Sequence, residues 1–137
     1  MTDEELLRMY GSTKTIAVVG ASSDPSKVSH TIPVYLQSQG FKIIPINPRE
    51  EMLFGEKAFA SLKDVEGPID VVDVFRPAEE TPDIARQAVE AGAKVLWLQS
   101  GIESAEAEAI ALEGGLEVVM GACLGTTHGR LGLGPGP

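Results

Sequence analysis

Thr15-Ile16-Ala17-Val18-Val19-Gly20-Ala21-Ser22-Ser23-Asp24-Pro25-Ser26-Lys27 is a short β-branched run that stops at a glycine and opens into a small, polar loop. A run of that length and composition predicts a buried strand. The helical pattern that follows, begun near Ser29 to Thr31 with Ile32, Tyr35 and Leu36 as its apolar face and Gly40 as its stop, predicts a strand–loop–helix unit. Pro33 is expected in the first turn of that helix, where a missing N–H is tolerated.

The same alternation continues outward. Phe41 to Ile46, Ile69 to Val74, Lys94 to Leu98 and Leu116 to Met120 read as further strands. Pro45 cannot donate to a ladder, so it is placed at the end of its strand. Helical patterns follow at Thr81 to Val89, with Thr81 as cap and Pro82 at the first position, and at Ser104 to Leu112. Upstream, Thr2-Asp3-Glu4-Glu5 has the spacing of a capping box, followed by Leu6, Met9 and Tyr10 on one helical face. Apolar strands alternating with helices need cover on both faces. The fold class is therefore α/β, a Rossmann-like three-layer sandwich with a five-stranded parallel sheet. The chain reads as one domain over residues 1–137, with an irregular glycine- and proline-rich tail over residues 125–137.

Bulk properties narrow the function. The 137 residues carry 20 acidic and 11 basic side chains, a formal net charge of −9, which argues against a nucleic-acid partner. The start is acidic rather than basic and no apolar stretch approaches the roughly 18 residues of a membrane span, so a cytoplasmic protein without a membrane partner is expected. Cys123 is the single cysteine, which fits a reducing compartment. No cluster of histidine and cysteine has metal-ligand spacing.

In open α/β sheets ligands bind beyond the carboxyl ends of the strands. That rule selects Gly20 to Lys27, Asn47 to Arg49, Phe75 to Pro77 and Gln99 to Ile102. A dinucleotide fingerprint needs three glycines, but Ser22 and Pro25 stand where the second and third would be. Ser22, Ser23, Lys27 and the loop amides still suit a phosphate. A NAD site also needs a carboxylate closing the second strand, and Ile46-Asn47-Pro48-Arg49 has none. Arg49 there would welcome a ribose phosphate, such as that of coenzyme A or NADP, or would simply be solvated. Phe75 would wall an adenine pocket or belong to the core. Arg76 would meet a phosphate or a carboxylate, or pair with Glu79 or Glu80. Cys123 with His128 would offer a thiol nucleophile, although no third orienting residue is evident.

The run Val19 to Lys27, then Gly40-Phe41, then Pro45-Ile46-Asn47-Pro48 resembles the CoA-binding domain family, the small Rossmann domain also found at the start of the succinyl-CoA synthetase α subunit. Asp70 to Arg76 and Leu96-Trp97-Leu98-Gln99-Ser100-Gly101-Ile102 are similar to its stand-alone YccU-type members. The resemblance runs from about Thr15 to Leu131. It implies that coenzyme A or an acyl-CoA lies across the strand ends. Gly20, Ala21, Ser22, Ser23 and Lys27 would take the phosphates. Asn47, Pro48, Arg49, Phe75, Arg76 and Pro77 would shape the nucleotide pocket, with Gln99 and Gly101 at the next strand end. After Met120 the chain reads Gly121-Ala122-Cys123 where members often have an acid or amide, an arginine and a cysteine, so that loop is left out of the site; His128 matches a family histidine. In the synthetase the phosphorylated histidine lies in a following domain. The expectation is thus a non-catalytic binder, carrier or regulator of a small nucleotide ligand, its protein partner unidentified. An NADP-linked oxidoreductase and a thiol-dependent enzyme using Cys123 are the alternatives.

Overall fold

A computed structural model of the chain describes residues 1–134. Helix α1 (Asp3–Ser12) begins with the expected capping box: Glu5 N donates to Thr2 Oγ1 at 3.1 Å and Thr2 N donates to Glu5 Oε1 at 3.2 Å. Then come β1 (Thr15–Val19), α2 (Val28–Ser38), β2 (Lys42–Ile46) and a short hairpin of β3 (Met52–Leu53) and β4 (Glu56–Lys57). A 3₁₀ turn at Leu62–Asp64 leads to β5 (Val71–Val74), and another at Ala78–Glu80 leads into α3 (Thr81–Glu90). The remaining elements are β6 (Val95–Leu98), α4 (Ala105–Glu113), β7 (Glu117–Met120) and α5 (Leu124–Arg130).

The five main strands form one parallel sheet in the order β2-β1-β5-β6-β7. Alternating side chains feed two cores. Ala17, Val19, Val72, Val74, Leu96 and Leu98 pack under Ile84, Ala85 and Ala88 of α3 and Ala107 and Ala111 of α4. Ile16, Val18, Val71, Trp97 and Val119 pack under Leu6, Met9 and Tyr10 of α1, Leu36 of α2 and Leu124 of α5. All four residues of β5 are buried, as a central strand covered on both faces must be.

Four local expectations are corrected. The stretch from Gly125 is not wholly irregular, because Leu124–Arg130 is helical; the part of the expected tail at residues 135–137 lies outside the described residues. Thr81 does not cap α3. The residue at that position is Glu80, and the Thr81 hydroxyl donates to Ala78 O at 2.6 Å. Pro45 is the fourth of five residues in β2 rather than its end. It is accommodated because β2 is an edge strand and the Pro45 carbonyl turns outward to accept Phe59 N at 3.0 Å. The amide side of the same residue faces the same way, so the missing N–H is not taken from β1.

Pro33 is the sixth residue of α2, beyond its first turn. Its missing N–H and its ring free the carbonyl four residues earlier. That carbonyl, Ser29 O, accepts Ser22 N at 3.1 Å. A helix irregularity is thereby converted into a tether for the loop after β1.

Candidate functional site

From β1 the chain moves outward to β2 and then returns to the other side of β1 to form β5, so the crevice between β1 and β5 is the switch point of the sheet. A cavity of about 850 Å³ opens there. Gly20, Ala21, Ser22, Ser23 and Lys27 line it from the first loop, Asn47, Pro48 and Arg49 from the end of β2, and Phe75 and Arg76 from the end of β5. Ten of the residues selected from the sequence thus converge on one volume.

The first loop is held by its own hydrogen bonds. Gly20 has φ +88°, and its N–H donates to Ile46 O at 3.1 Å. A Cβ at this position would lie 2.9 Å from Arg76 Cδ and 3.3 Å from Phe75 O, so both conformation and space require glycine. Ser22 is tied to α2 at both ends of its peptide: its N–H meets Ser29 O, and its carbonyl meets His30 Nδ1 at 2.8 Å. Ser22 Oγ accepts Asp24 N at 3.0 Å. Among the described residues, the N–H groups of Ala21 and Ser23 have no protein acceptor. Lys27, exposed, stands at the start of α2 and makes no side-chain cap. Free amides beside a helix start and a lysine form a region of positive potential suited to phosphate.

Asn47 joins the two loops. Its Nδ2 donates to Ala21 O at 2.8 Å and its Oδ1 accepts Arg49 N at 2.7 Å. Its amide is used to set the cavity wall, while the Arg49 side chain is exposed on the rim. Phe75 is half-buried against the α1/α2 core and also lines the cavity. Arg76 is paired: Nη2 lies 2.8 Å from Glu80 Oε2 and Nε 3.1 Å from Glu80 Oε1. The guanidinium holds the Glu80 carboxyl below the usual carboxylate range, and Glu80 raises Arg76 in turn.

Pro77, Gln99 and Gly101 do not line the cavity. Pro77 precedes the 3₁₀ turn before α3, and Gly101, at φ +85°, lies in the turn after β6. Gln99 is buried and donates through Nε2 to Asp73 Oδ1. Asp73 is fully buried in β5, its Oδ2 without a partner, and burial pushes its carboxyl up to about 7 against the opposing Gln99 hydrogen bond. Gln99 therefore serves a buried acid within the sheet.

Sequence reasoning missed the wall opposite the loops: Ala60, Ser61 and Leu62, and Asp83, Ile84 and Gln87 of α3. Ile84 was legible only as core, and it serves both. Cys123 and His128 do not form a nucleophile and base. Cys123 precedes α5, while His128 is buried among Tyr10, Tyr35 and Phe41 with Nδ1 2.8 Å from the Tyr35 hydroxyl. Burial lowers the His128 pKa. Among the described residues no group of three acids, histidines or cysteines is placed to hold a metal, and no helix is long and apolar enough to cross a membrane.

The model of the family described as "CoA binding domain" matches residues 14–129. The chain belongs to the CoA-binding domain family. One similar member is the uncharacterized protein YneT of Bacillus subtilis (strain 168), 40% identical over 124 residues, covering 90% of this chain and 92% of that one. The alpha subunit of acetate–CoA ligase (ADP-forming) II from Pyrococcus furiosus is 30% identical over 139 residues. The match covers 92% of this chain but 30% of the subunit, so this CoA-binding domain corresponds to under a third of that protein. Among solved structures, cell-free ID.343 from Thermus thermophilus superposes with a TM-score of 0.91 at 44% identity, covering 96% of this chain and 99% of that one.

Proposed function

We propose that the cavity between β1 and β5 binds coenzyme A or an acyl-CoA, and that the chain acts as a binder, carrier or regulator rather than as a catalyst. One observation carries this reading: the cavity gathers a phosphate-type loop, Lys27, Arg49 and Arg76 at the switch point, in a chain of the CoA-binding domain family. The first loop and the α2 start receive the pyrophosphate, Arg49 lies at the rim for the ribose phosphate, and Phe75 offers its ring to the adenine. The similarity to a CoA ligase subunit supports the same ligand.

Absence of NAD selectivity follows from the residues present. Only one fingerprint glycine occurs in the loop, and the residue closing β2 is Asn47, whose side chain is already engaged on both sides. Against the thiol-dependent alternative, His128 Nδ1 is engaged by the Tyr35 hydroxyl and its buried Nε2 makes no hydrogen bond to Cys123. The free thiol of Cys123 fits a cytoplasmic setting. Calorimetric titration with CoA, acetyl-CoA, NAD and NADP tests the assignment. The expected result is binding of CoA and acetyl-CoA with NAD at least tenfold weaker, about 1.4 kcal/mol. NADP binding tighter than CoA would transfer the site to an oxidoreductase cofactor.

A further inference from the structure

The cavity is not a simple basic pocket. Lys27, Arg49 and Arg76 line it, but so do Glu50, Glu80 and Asp83, three cations against three carboxylates. For a ligand bearing several phosphates these acids oppose binding, and the protein already carries a net charge of −9. Their retention around the mouth needs a physical account.

Arg76 supplies one. It is the second residue beyond β5, and its aliphatic stem lies over Gly20, close enough that a Cβ there would sit 2.9 Å from its Cδ. The backbone and the glycine together fix the guanidinium beside the phosphate-type loop. Its Nε and Nη2, the edge that grips an oxyanion in a two-pronged fashion, are both engaged by the two oxygens of Glu80. The carboxylate thus sits on Arg76 in the manner of a phosphate. Arg76 and Glu80 are each close to half exposed, at 46% and 45%. A solvated pair of this kind is held weakly, and a pyrophosphate, which presents two negative charges on neighbouring phosphoryl groups, can replace it. Released, Glu80 stays at the N-terminus of α3, where the helix dipole tolerates a negative charge.

We propose that Glu80 is a built-in placeholder on Arg76, an autoinhibitory contact that an incoming phosphate of the ligand must displace. It rests on the CoA reading of the cavity for the identity of the ligand, but not for the competition itself. The pair keeps an otherwise anion-hungry guanidinium neutralised in the free protein, and it discriminates against weak monoanions that cannot outcompete a carboxylate already in place.

The test is a calorimetric titration of the full chain, wild type, Glu80→Gln, Arg76→Gln and the double variant, each with CoA and with inorganic pyrophosphate. Glu80→Gln is expected to bind both probes about two- to fivefold tighter, the range set by the strength of an exposed ion pair. Arg76→Gln is expected to bind about tenfold weaker or worse. The double variant should match Arg76→Gln, because without the arginine there is nothing to release. Unchanged or weaker binding by Glu80→Gln overturns the proposal, the latter showing that Glu80 orients Arg76. A gain that persists in the double variant also overturns it, since the acid would then act by general repulsion. If no protein binds CoA while Glu80→Gln still gains for pyrophosphate, the CoA reading falls and the placeholder stands. If neither probe binds any variant, both fall.

Discussion

Replacing Asp73 by asparagine is expected to stabilise the protein at neutral and alkaline pH and to remove a pH dependence from its folding. Asp73 is fully buried between Val18 and Trp97 on the neighbouring strands, with Oδ1 accepting from Gln99 and Oδ2 unpartnered. Burial raises its pKa from 3.8 to about 7. Below pH 3.8 the carboxyl is neutral in both folded and unfolded chains. Between 3.8 and 7 the unfolded chain releases the proton while the folded chain keeps it, so stability falls as pH rises. Above 7 both forms are ionised and the loss levels off. A rise of about three pH units at roughly 1.4 kcal/mol each gives about 4 kcal/mol. Asparagine is neutral throughout and still offers Gln99 an acceptor. Urea unfolding followed by the fluorescence of Trp97, the single tryptophan, measures the effect at pH 4, 6 and 8. Other carboxylates titrate in both proteins and cancel in the difference. Asp73→Asn should gain on the wild type by about 3–4 kcal/mol between pH 4 and pH 8. A difference independent of pH would refute the reasoning, because it would mean that the buried carboxyl titrates as it does in the unfolded chain.

Other substitutions probe the cavity. Gly20→Ala should cost about 1–2 kcal/mol of stability from the left-handed backbone alone, and should weaken CoA binding by displacing Arg76; a change within about 0.5 kcal/mol in urea unfolding would remove the steric argument. Lys27→Ala should weaken CoA by about 1–2 kcal/mol in calorimetry. Dephospho-CoA should lose a similar amount if the lysine serves the pyrophosphate, and no loss for either ligand would leave the phosphates to backbone groups and serines. Cys123→Ser should leave CoA affinity within tenfold, about 1.4 kcal/mol, since Cys123 does not line the cavity; a larger loss would bring it into the site.

The fold was legible where burial is complete and periodicity simple. β1 is a short apolar run and β5 one interrupted only by Asp73, and the residues that follow each line the cavity, so strand ends and site followed from one rule. The β3–β4 hairpin was not legible, because two-residue strands carry no period. Its turn also hides its signal. Phe54 takes φ +56° and Gly55 φ +75°, positions where asparagine or aspartate followed by glycine is the usual mark. Phe54 is held there by tertiary contacts: its ring lies edge-on to His30 at 5.2 Å and its carbonyl accepts Gln37 Nε2 at 2.9 Å. Helix α5 is hidden in the sequence because it opens a stretch crowded with glycine and proline, and Gly125 and Gly129 are themselves weak helix formers. Packing overrides propensity, since a Cβ on Gly125 would lie 3.0 Å from Ile32 Cγ2 of α2; the glycine permits the close approach of the two helices.

The site was legible by position but not by state. The sequence places Arg76 and Asn47 at strand ends; only the structure shows that Arg76 is occupied by Glu80 and that Asn47 spans Ala21 and Arg49. Gln99 follows the same strand-end rule, yet its side chain turns back to Asp73, a buried carboxyl that would otherwise have neither oxygen partnered. Asp83 and Gln87 lie in the first and second turns of α3, inside the helix and beyond the reach of a rule about loops.

Direct competition between CoA and NAD tests the central claim most simply. With NAD present at a concentration equal to the Kd of CoA, the titration of CoA should give an affinity within about 10% of that of the free protein, because a ligand at least tenfold weaker displaces little CoA. An apparent CoA affinity lowered twofold or more, which requires NAD to bind at least as tightly as CoA, or CoA failing to bind where NAD does, would contradict the assignment of the cavity to coenzyme A.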